Sequence, residues 1–385
     1  MRRTVKIAMV VPGGVDRSGE YRVIPALLAL IARLSLRDEV HVFALLQETR
    51  PASWDLLGAR IHNIGARNTL LRAIHAIHTE HRSSAFHVVQ SIWSGAPGFV
   101  AVAAARILRL PCAVHVAGGE LTAIAEIGYG GRLSWKGRLR EALVLRSATV
   151  VTAASAAMVE ALARLGILAQ RLPLGVDLSV WPPREPVRRA IDEPARLIHV
   201  ASLNRVKDQT TLLHALASLS ASGLDFQMDI VGDDTLQGEI QALRDRLGLS
   251  ERVRFHGFLP QRRLLPLMQA AQVMVVSSRH EAGPIVVLEA AVAGVATVGT
   301  AVGHIAEWAP DAAACVAVGD PDALCRAIAA VLRDEDLRLR IAREALRRAA
   351  HEDADHTARG FQAIYANVTA RRSARTKAPD ADARS

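Results

Sequence analysis

Two successive series of short apolar runs, each run followed by a longer amphipathic stretch, constrain this chain more than any other feature. In the first series the runs are Lys6–Val11, Val40–Leu45, His87–Gln90, Ala113–Val116 and Thr149–Thr152. In the second they are Arg196–Ala201, Gln227–Val231, Val253–Phe255, Val273–Val276 and Ala296–Gly299. Helical periodicity fills the intervals, as at Val23–Ser35, Ala156–Leu165, Thr210–Ser220, Gly238–Leu247 and Leu264–Ala270. Short apolar runs alternating with helices predict βαβ units and parallel sheets.

Between the series, Trp181 to Pro194 holds four prolines and several charges, with no apolar period running through it. Proline removes a backbone donor and fixes φ, so such a stretch extends neither a helix nor a ladder and reads as a linker. The chain is therefore expected to be α/β, with two Rossmann-like doubly wound domains facing each other across a cleft. The expected boundaries are 1–178, a linker at 179–194, and 195–350. Residues 351–372 read as a terminal helix, with Phe361 and Tyr365 one turn apart, and the polar residues 373–385 as a disordered tail.

Charge is unevenly placed. Residues 1–180 carry 21 Lys and Arg against 12 Asp and Glu, whereas residues 181–385 carry 26 of each, so the whole net charge of +9 lies on the first half. Such a field attracts polyanions: nucleic acid, anionic lipid or a phosphorylated acceptor. Aromatics are only 4% of the chain and do not cluster in the basic half, which disfavours nucleic acid. The three cysteines, Cys112, Cys315 and Cys325, are too scattered for a disulfide framework or zinc knuckle and point to a reducing cytoplasmic compartment. No apolar run approaches the ~20 residues of a spanning helix, so the expected protein is soluble or peripheral.

Three segments have the composition of a binding site. Pro12-Gly13-Gly14 follows the first apolar run and precedes a helix. A glycine pair there permits close approach to an anion, or forms an ordinary βα turn. Asn204, Arg205 and Lys207 follow the first run of the second series; only four lysines stand beside 43 arginines, so Lys207 is compositionally unusual. A lysine in a βα loop meets phosphate as a point charge, or is a solvated loop residue. In the third segment, Glu281 precedes Gly283-Pro284 and Glu289 lies within an apolar helix that includes Ile285 and Val286. A carboxylate in that setting needs donors, which sugar or ribose hydroxyls supply; a salt bridge is the alternative for each glutamate taken singly.

The Glu281…Glu289 spacing resembles the E-x7-E motif of the retaining GT-B glycosyltransferases of family 4. Arg146–Ser155 with Pro173–Asp177, Ile230–Asp234, Val253–Phe258 and Val302–Glu307 are similar to further motifs of that family, in the same order. The resemblance implies transfer of a hexosyl group from a nucleotide-diphosphate donor to a hydroxyl acceptor, with retention by same-face attack, no metal and no cofactor. The acceptor would be a lipid-linked or cell-surface glycan intermediate, or a small molecule. Lys207 matches the lysine that clamps the diphosphate, Glu289 the ribose-binding glutamate, and Glu281 the glutamate near the donor sugar. The Gly283, Pro284, Ile285 and Val286 backbone would face sugar and phosphate. Gly13 and Gly14 match a loop closing on the phosphates, and His115 resembles a histidine near the reacting sugar. The terminal helix would return to the first domain.

The sequence departs from the family pattern where Ser202 replaces a phosphate-binding arginine; Arg205 is the expected substitute and Asn204 an additional hydrogen-bonding group. That loss leaves two other readings open, a non-catalytic nucleotide-sugar-binding partner subunit and a nucleotide-sugar epimerase. His75, His78 and His81 drift around a helix and read as a surface or packed face rather than a metal site. Residues 129–146 interleave Leu and Trp with basic residues; they form either a solvated helix or an interfacial segment on anionic lipid at the inner face of the membrane.

Overall fold

All six residues of β1 (Lys6–Val11) are buried, as a strand covered on both faces requires. Around it the computed structural model, which describes residues 4–190 and 193–377, builds the first of two compact units, Met1–Leu174 together with Ala354–Ser385; the second is Gly175–Asp353.

The first unit continues with α1 (Pro25–Ser35), β2 (Glu39–Ala44), β3 (Ala52–Leu56), β4 (Ala59–Asn63), α2 (Thr69–Ser83), β5 (Val88–Ile92), α3 (Ala96–Leu108), β6 (Cys112–Val116), α4 (Trp135–Ser147), β7 (Val150–Ala153), α5 (Ala156–Arg164) and β8 (Gln170–Arg171). Its eight strands lie in the order β3-β4-β2-β1-β5-β6-β7-β8. All pairings are parallel except β3 with β4. That antiparallel hairpin is absent from the sequence reading. Its two-residue turn, Leu57-Gly58, has positive φ at both positions, a geometry normally signalled by Asn-Gly or Asp-Gly, and leucine hides the signal.

The second unit comprises β9 (Ala195–Val200), α6 (Gln209–Ala221), β10 (Phe226–Val231), α7 (Glu239–Arg246), β11 (Val253–Phe255), α8 (Gln261–Ala270), β12 (Val273–Val276), α9 (Ile285–Val292), β13 (Ala296–Thr300), α10 (Gly303–Trp308), β14 (Ala314–Val316), α11 (Pro321–Arg333) and α12 (Glu335–His351). The strands are all parallel, in the order β11-β10-β9-β12-β13-β14. One face of the sheet buries Leu197, Met228 and Val275 with Leu212, Leu216 and Ile328; the other buries Ile198, Met274 and Val276 with Val287, Ala291 and Trp308. The chain then returns to the first unit as α13 (Ala354–Lys377). There Phe361 packs edge-on to His115 and Thr357 Oγ1 donates to Pro173 O at 2.7 Å.

Three expected boundaries move. Residues 175–178 belong with the second unit because Val176 and Leu178 pack into its core. The 179–194 segment forms no helix or strand where described, yet it is no loose tether. Trp181 is 1% exposed, Arg184 N donates to Val292 O at 2.8 Å, and Arg189 N donates to Glu335 Oε1 at 2.8 Å; residues 191–192 lie outside the described residues. The terminal helix begins three residues later than expected and runs to Lys377, into the stretch read as a tail. The remainder of that stretch, 378–385, lies outside the described residues.

Candidate active site

The carboxyl ends of parallel strands are where open α/β sheets bind ligands, and in the second unit Lys207, Ser278 and Glu281 come together there. Lys207 leaves β9 just before α6, whose N-cap Asp208 adopts a left-handed conformation and accepts from Thr211 N at 3.3 Å. Glu281 lies between β12 and α9. Lys207 Nζ and Ser278 Oγ donate to the same Glu281 Oε1, at 2.6 and 2.7 Å. Two deeper bonds fix these groups: Ser277 Oγ donates to Lys207 O at 2.8 Å, and Thr300 Oγ1 to Ser278 O at 2.6 Å. Asn204 Oδ1 accepts from Lys207 N at 3.1 Å and so shapes the loop rather than facing outward.

Gly283 and Pro284 lead into α9, with Pro284 as N-cap and Ile285 and Val286 in the first turn. Gly303, at φ +48°, begins α10; a Cβ there would lie 2.7 Å from Pro284 Cδ and 3.3 Å from Glu281 O, so glycine is required for the two loops to approach. Glu289, on α9, is 6% exposed. Gln261 Nε2 donates to its Oε1 at 3.0 Å, and burial pushes its carboxyl up to about 7 despite that bond. Beneath Lys207, His199 is buried neutral: Nδ1 meets Val275 O at 2.8 Å, and burial lowers its pKa to about 4.

Of the remaining sequence-derived candidates, Arg205 has a partner of its own in the second unit, and Gly13, Gly14 and His115 belong to the first unit. Arg205, the expected substitute for an arginine at 202, is exposed and donates from Nη1 and Nη2 to the two carboxylate oxygens of Glu239, at 2.7 and 2.6 Å. Gly13 and Gly14 follow β1 in the first unit, but the Gly14 and Val15 N–H groups already donate to Gln47 Oε1 at 2.7 and 2.9 Å. His115 is wholly enclosed by the first unit. It lies within β6, 0% exposed, with Nδ1 at 2.9 Å from Thr152 Oγ1, and burial lowers its pKa to about 3. Its ring packs edge-on against Phe361 of α13.

Gln261 and Gln47 gain their roles from partners distant in the chain and carry no local signal, whereas Ser278 bonds to Glu281 only three residues on. A half-buried and a buried carboxylate, Glu120 and Glu141, follow β6 and carry no local signal either. Glu120 accepts from Ser94 N at 3.0 Å and Gly118 N at 2.7 Å, while Glu141 on α4 is 5% exposed, with Arg132 Nη1 3.7 Å away. Burial raises both carboxyls, Glu141 to about 7.

His41, His62 and Glu80 are the group of potential metal ligands among the described residues, their donor atoms within 4.8 Å of one another. The Lys6 ammonium already holds Glu80 there at 2.9 Å, so a cation of the protein's own occupies that position.

Both units match known families. The family described as glycosyl transferases group 1 matches residues 184–348, and the glycosyl transferase 4-like domain matches residues 23–175. A putative glycosyltransferase, EpsF of Bacillus subtilis, is 27% identical over 316 residues, 76% of this chain and 79% of the relative. A D-inositol 3-phosphate glycosyltransferase of Corynebacterium urealyticum is 29% identical over 211 residues, half of each chain. Among solved structures, sucrose-phosphate synthase of Thermosynechococcus elongatus superposes with a TM-score of 0.77 at 17% identity, covering 95% of this chain and all of the other. HepE of Anabaena, in complex with UDP and glucose, gives 0.72 at 19% identity, covering 94% and all of the other.

Proposed function

This chain belongs to the GT-B glycosyltransferases of the family 4 type, and from that premise we propose that it moves a sugar from a nucleoside diphosphate to a hydroxyl acceptor with retention of configuration. The observation that carries the reading is the Lys207–Glu281 contact of 2.6 Å at the loop leading into α9, with Glu289 farther along the same helix. The second unit is the donor unit. In this role Lys207 binds the diphosphate, Glu289 accepts from the ribose hydroxyls, and Glu281 with the Gly283–Val286 backbone holds the sugar.

Breaking the anomeric C–O bond leaves negative charge on the departing diphosphate and oxocarbenium character on the sugar. A fixed ammonium and the N-terminal N–H groups of α9 stabilise the first. The acceptor hydroxyl attacks from the face the diphosphate leaves, and the departing phosphate oxygen takes its proton, so no protein base is assigned. UDP and its sugar conjugates are the first donors to try, since HepE was solved with UDP.

The first unit, which carries the excess of positive charge, is the acceptor unit. On α4, Trp135, Leu139 and Leu143 follow one another at helical spacing and are 63%, 62% and 51% exposed, with Lys136, Arg138 and Arg140 between them. Among the described residues no helix is long and apolar enough to cross a membrane. This half-apolar, basic face is suited to the surface of an anionic bilayer, the place of a lipid-linked acceptor.

The test is a thermal-shift screen of nucleoside diphosphates and their sugar conjugates. A ligand at 100 times its dissociation constant stabilises the fold by about 2.7 kcal/mol. A shift confined to one nucleotide and lost in Lys207→Ala supports the donor reading, and its absence for every nucleotide in folded protein refutes it.

A further inference from the structure

Gln261, the first residue of α8, and Glu289, on α9, both belong to the second unit. Across 28 positions of the chain, Gln261 Nε2 donates to Glu289 Oε1 at 3.0 Å. The helix start under Gln261 is fixed. Pro260 O accepts from Arg263 N at 2.8 Å and from Leu264 N at 3.0 Å, and Leu264 and Met268 pack with Leu288 and Ala291 in the core. Glu289 is held as firmly, because its neighbours Leu288 and Ala290 are at most 1% exposed. The amide therefore reaches the carboxylate from a rigid base on a separate helix.

The bond leaves the two carboxylate oxygens unlike. Oε1 has the Gln261 amide. Oε2 meets no protein donor among the described residues and is not sealed from solvent, so the 6% of Glu289 that remains exposed reaches it. A carboxylate with both oxygens open takes two neighbouring hydroxyls side by side; with one oxygen held by an amide it offers the other alone. The same bond decides where the proton sits when Glu289 is neutral. An oxygen that accepts an N–H is the carbonyl oxygen of the acid, so the proton is carried by Oε2. The outward oxygen is thus an acceptor when Glu289 is ionised and an O–H donor when it is not, and a sugar hydroxyl pairs with either.

We infer that Gln261 is a positioning residue that sets specificity: by holding Glu289 Oε1 it leaves Oε2 alone to meet the nucleotide, so that the chain reads one of the two ribose hydroxyls and is indifferent to the other. The inference rests on the donor reading and narrows it from the whole ribose to a single hydroxyl.

The experiment titrates the full chain, unaltered and as Gln261→Met and Gln261→Asn, with UDP, GDP and ADP and with the 2′-deoxy and 3′-deoxy forms of each. Methionine keeps the length of the side chain and donates nothing; asparagine keeps an amide one methylene short of Oε1. Gln261 is partly exposed, so neither change opens the core. The ribonucleotide that binds is the reference. In the unaltered chain one of its deoxy forms should bind about tenfold weaker and the other within about twofold of it. In both variants Oε1 is open, and the second deoxy form should lose about tenfold as well. A merely structural role lowers all the affinities together and leaves these ratios alone. Equal affinities of the two deoxy forms for the unaltered chain overturn the inference, as do variants in which the second deoxy form still binds as its ribonucleotide does. If none of the ribonucleotides binds the folded chain, the donor reading itself is refuted and the inference falls with it.

Discussion

Lys207 Nζ and Glu281 Oε1 lie 2.6 Å apart although 74 residues separate them in the chain. The pair joins the loop after β9 to the loop after β12, and Ser278 completes it at 2.7 Å. A cation and a carboxylate so placed, both partly exposed, are available to a ligand that brings its own charge and hydroxyls.

Removing the cation tests that availability. Lys207→Ala is expected to weaken nucleoside diphosphate binding by about 1.5–3 kcal/mol, the range for hydrogen bonds to charged groups. The thermal midpoint without nucleotide should barely move, because a partly exposed ion pair contributes little to stability. Calorimetric titration beside a melting curve separates the two effects.

Glu289 and Glu141 give stability a distinctive pH dependence. Each ionises near its ordinary value of 4.5 when unfolded but stays protonated to about 7 in the folded chain, through burial. Between those values the folded state holds more protons, so these groups make stability fall as pH rises from about 4.5 to about 7. Glu289→Gln should flatten part of that slope and raise stability at pH 8 by roughly 1–3 kcal/mol. Melting curves across pH 5–8 are the measurement, and an unchanged slope would contradict the assigned burial effect.

The apolar stripe on α4 predicts binding to vesicles. The full chain should sediment with vesicles of anionic lipid at low salt and be released as ionic strength rises. Replacing Trp135, Leu139 and Leu143 together by serine should lower the partition coefficient by about tenfold or more, leaving nucleotide binding by the second unit intact. Equal binding of the triple variant would show that the basic residues act alone.

Trp181→Ala tests whether the proline-rich segment is part of the second unit. Its indole is 1% exposed among Val176, Met274 and Trp308, so truncation should cost about 3–5 kcal/mol. Chemical denaturation reads this directly, and a loss below about 1 kcal/mol would mean that the segment is a tether after all.

Much of the architecture was legible because its cause is local. Alternation of apolar runs with amphipathic stretches places most strands within one or two residues of their observed limits, Lys6–Val11 and Val273–Val276 among them. The β3–β4 hairpin was not legible, since Leu57 adopts a left-handed turn that leucine does not advertise. The spacing of Glu281 and Glu289 and the rarity of Lys207 marked two loops that the fold brings together. The bond of Arg205 to Glu239 was not legible, because its partner lies 34 positions away on α7. The burial of His115 was not legible, because strand alternation does not say which face α13 will cover.

The sequence by itself determined the two βα series, the charge asymmetry and the residue types at the carboxyl ends of the strands, all of which follow from neighbours in the chain. The tertiary structure alone decided which of those polar groups remain available to a ligand. Lys207 finds Glu281 across 74 residues and Gly14 finds Gln47 across 33. A buried donor takes whichever acceptor the packed fold brings within about 3 Å, and no local pattern records that choice.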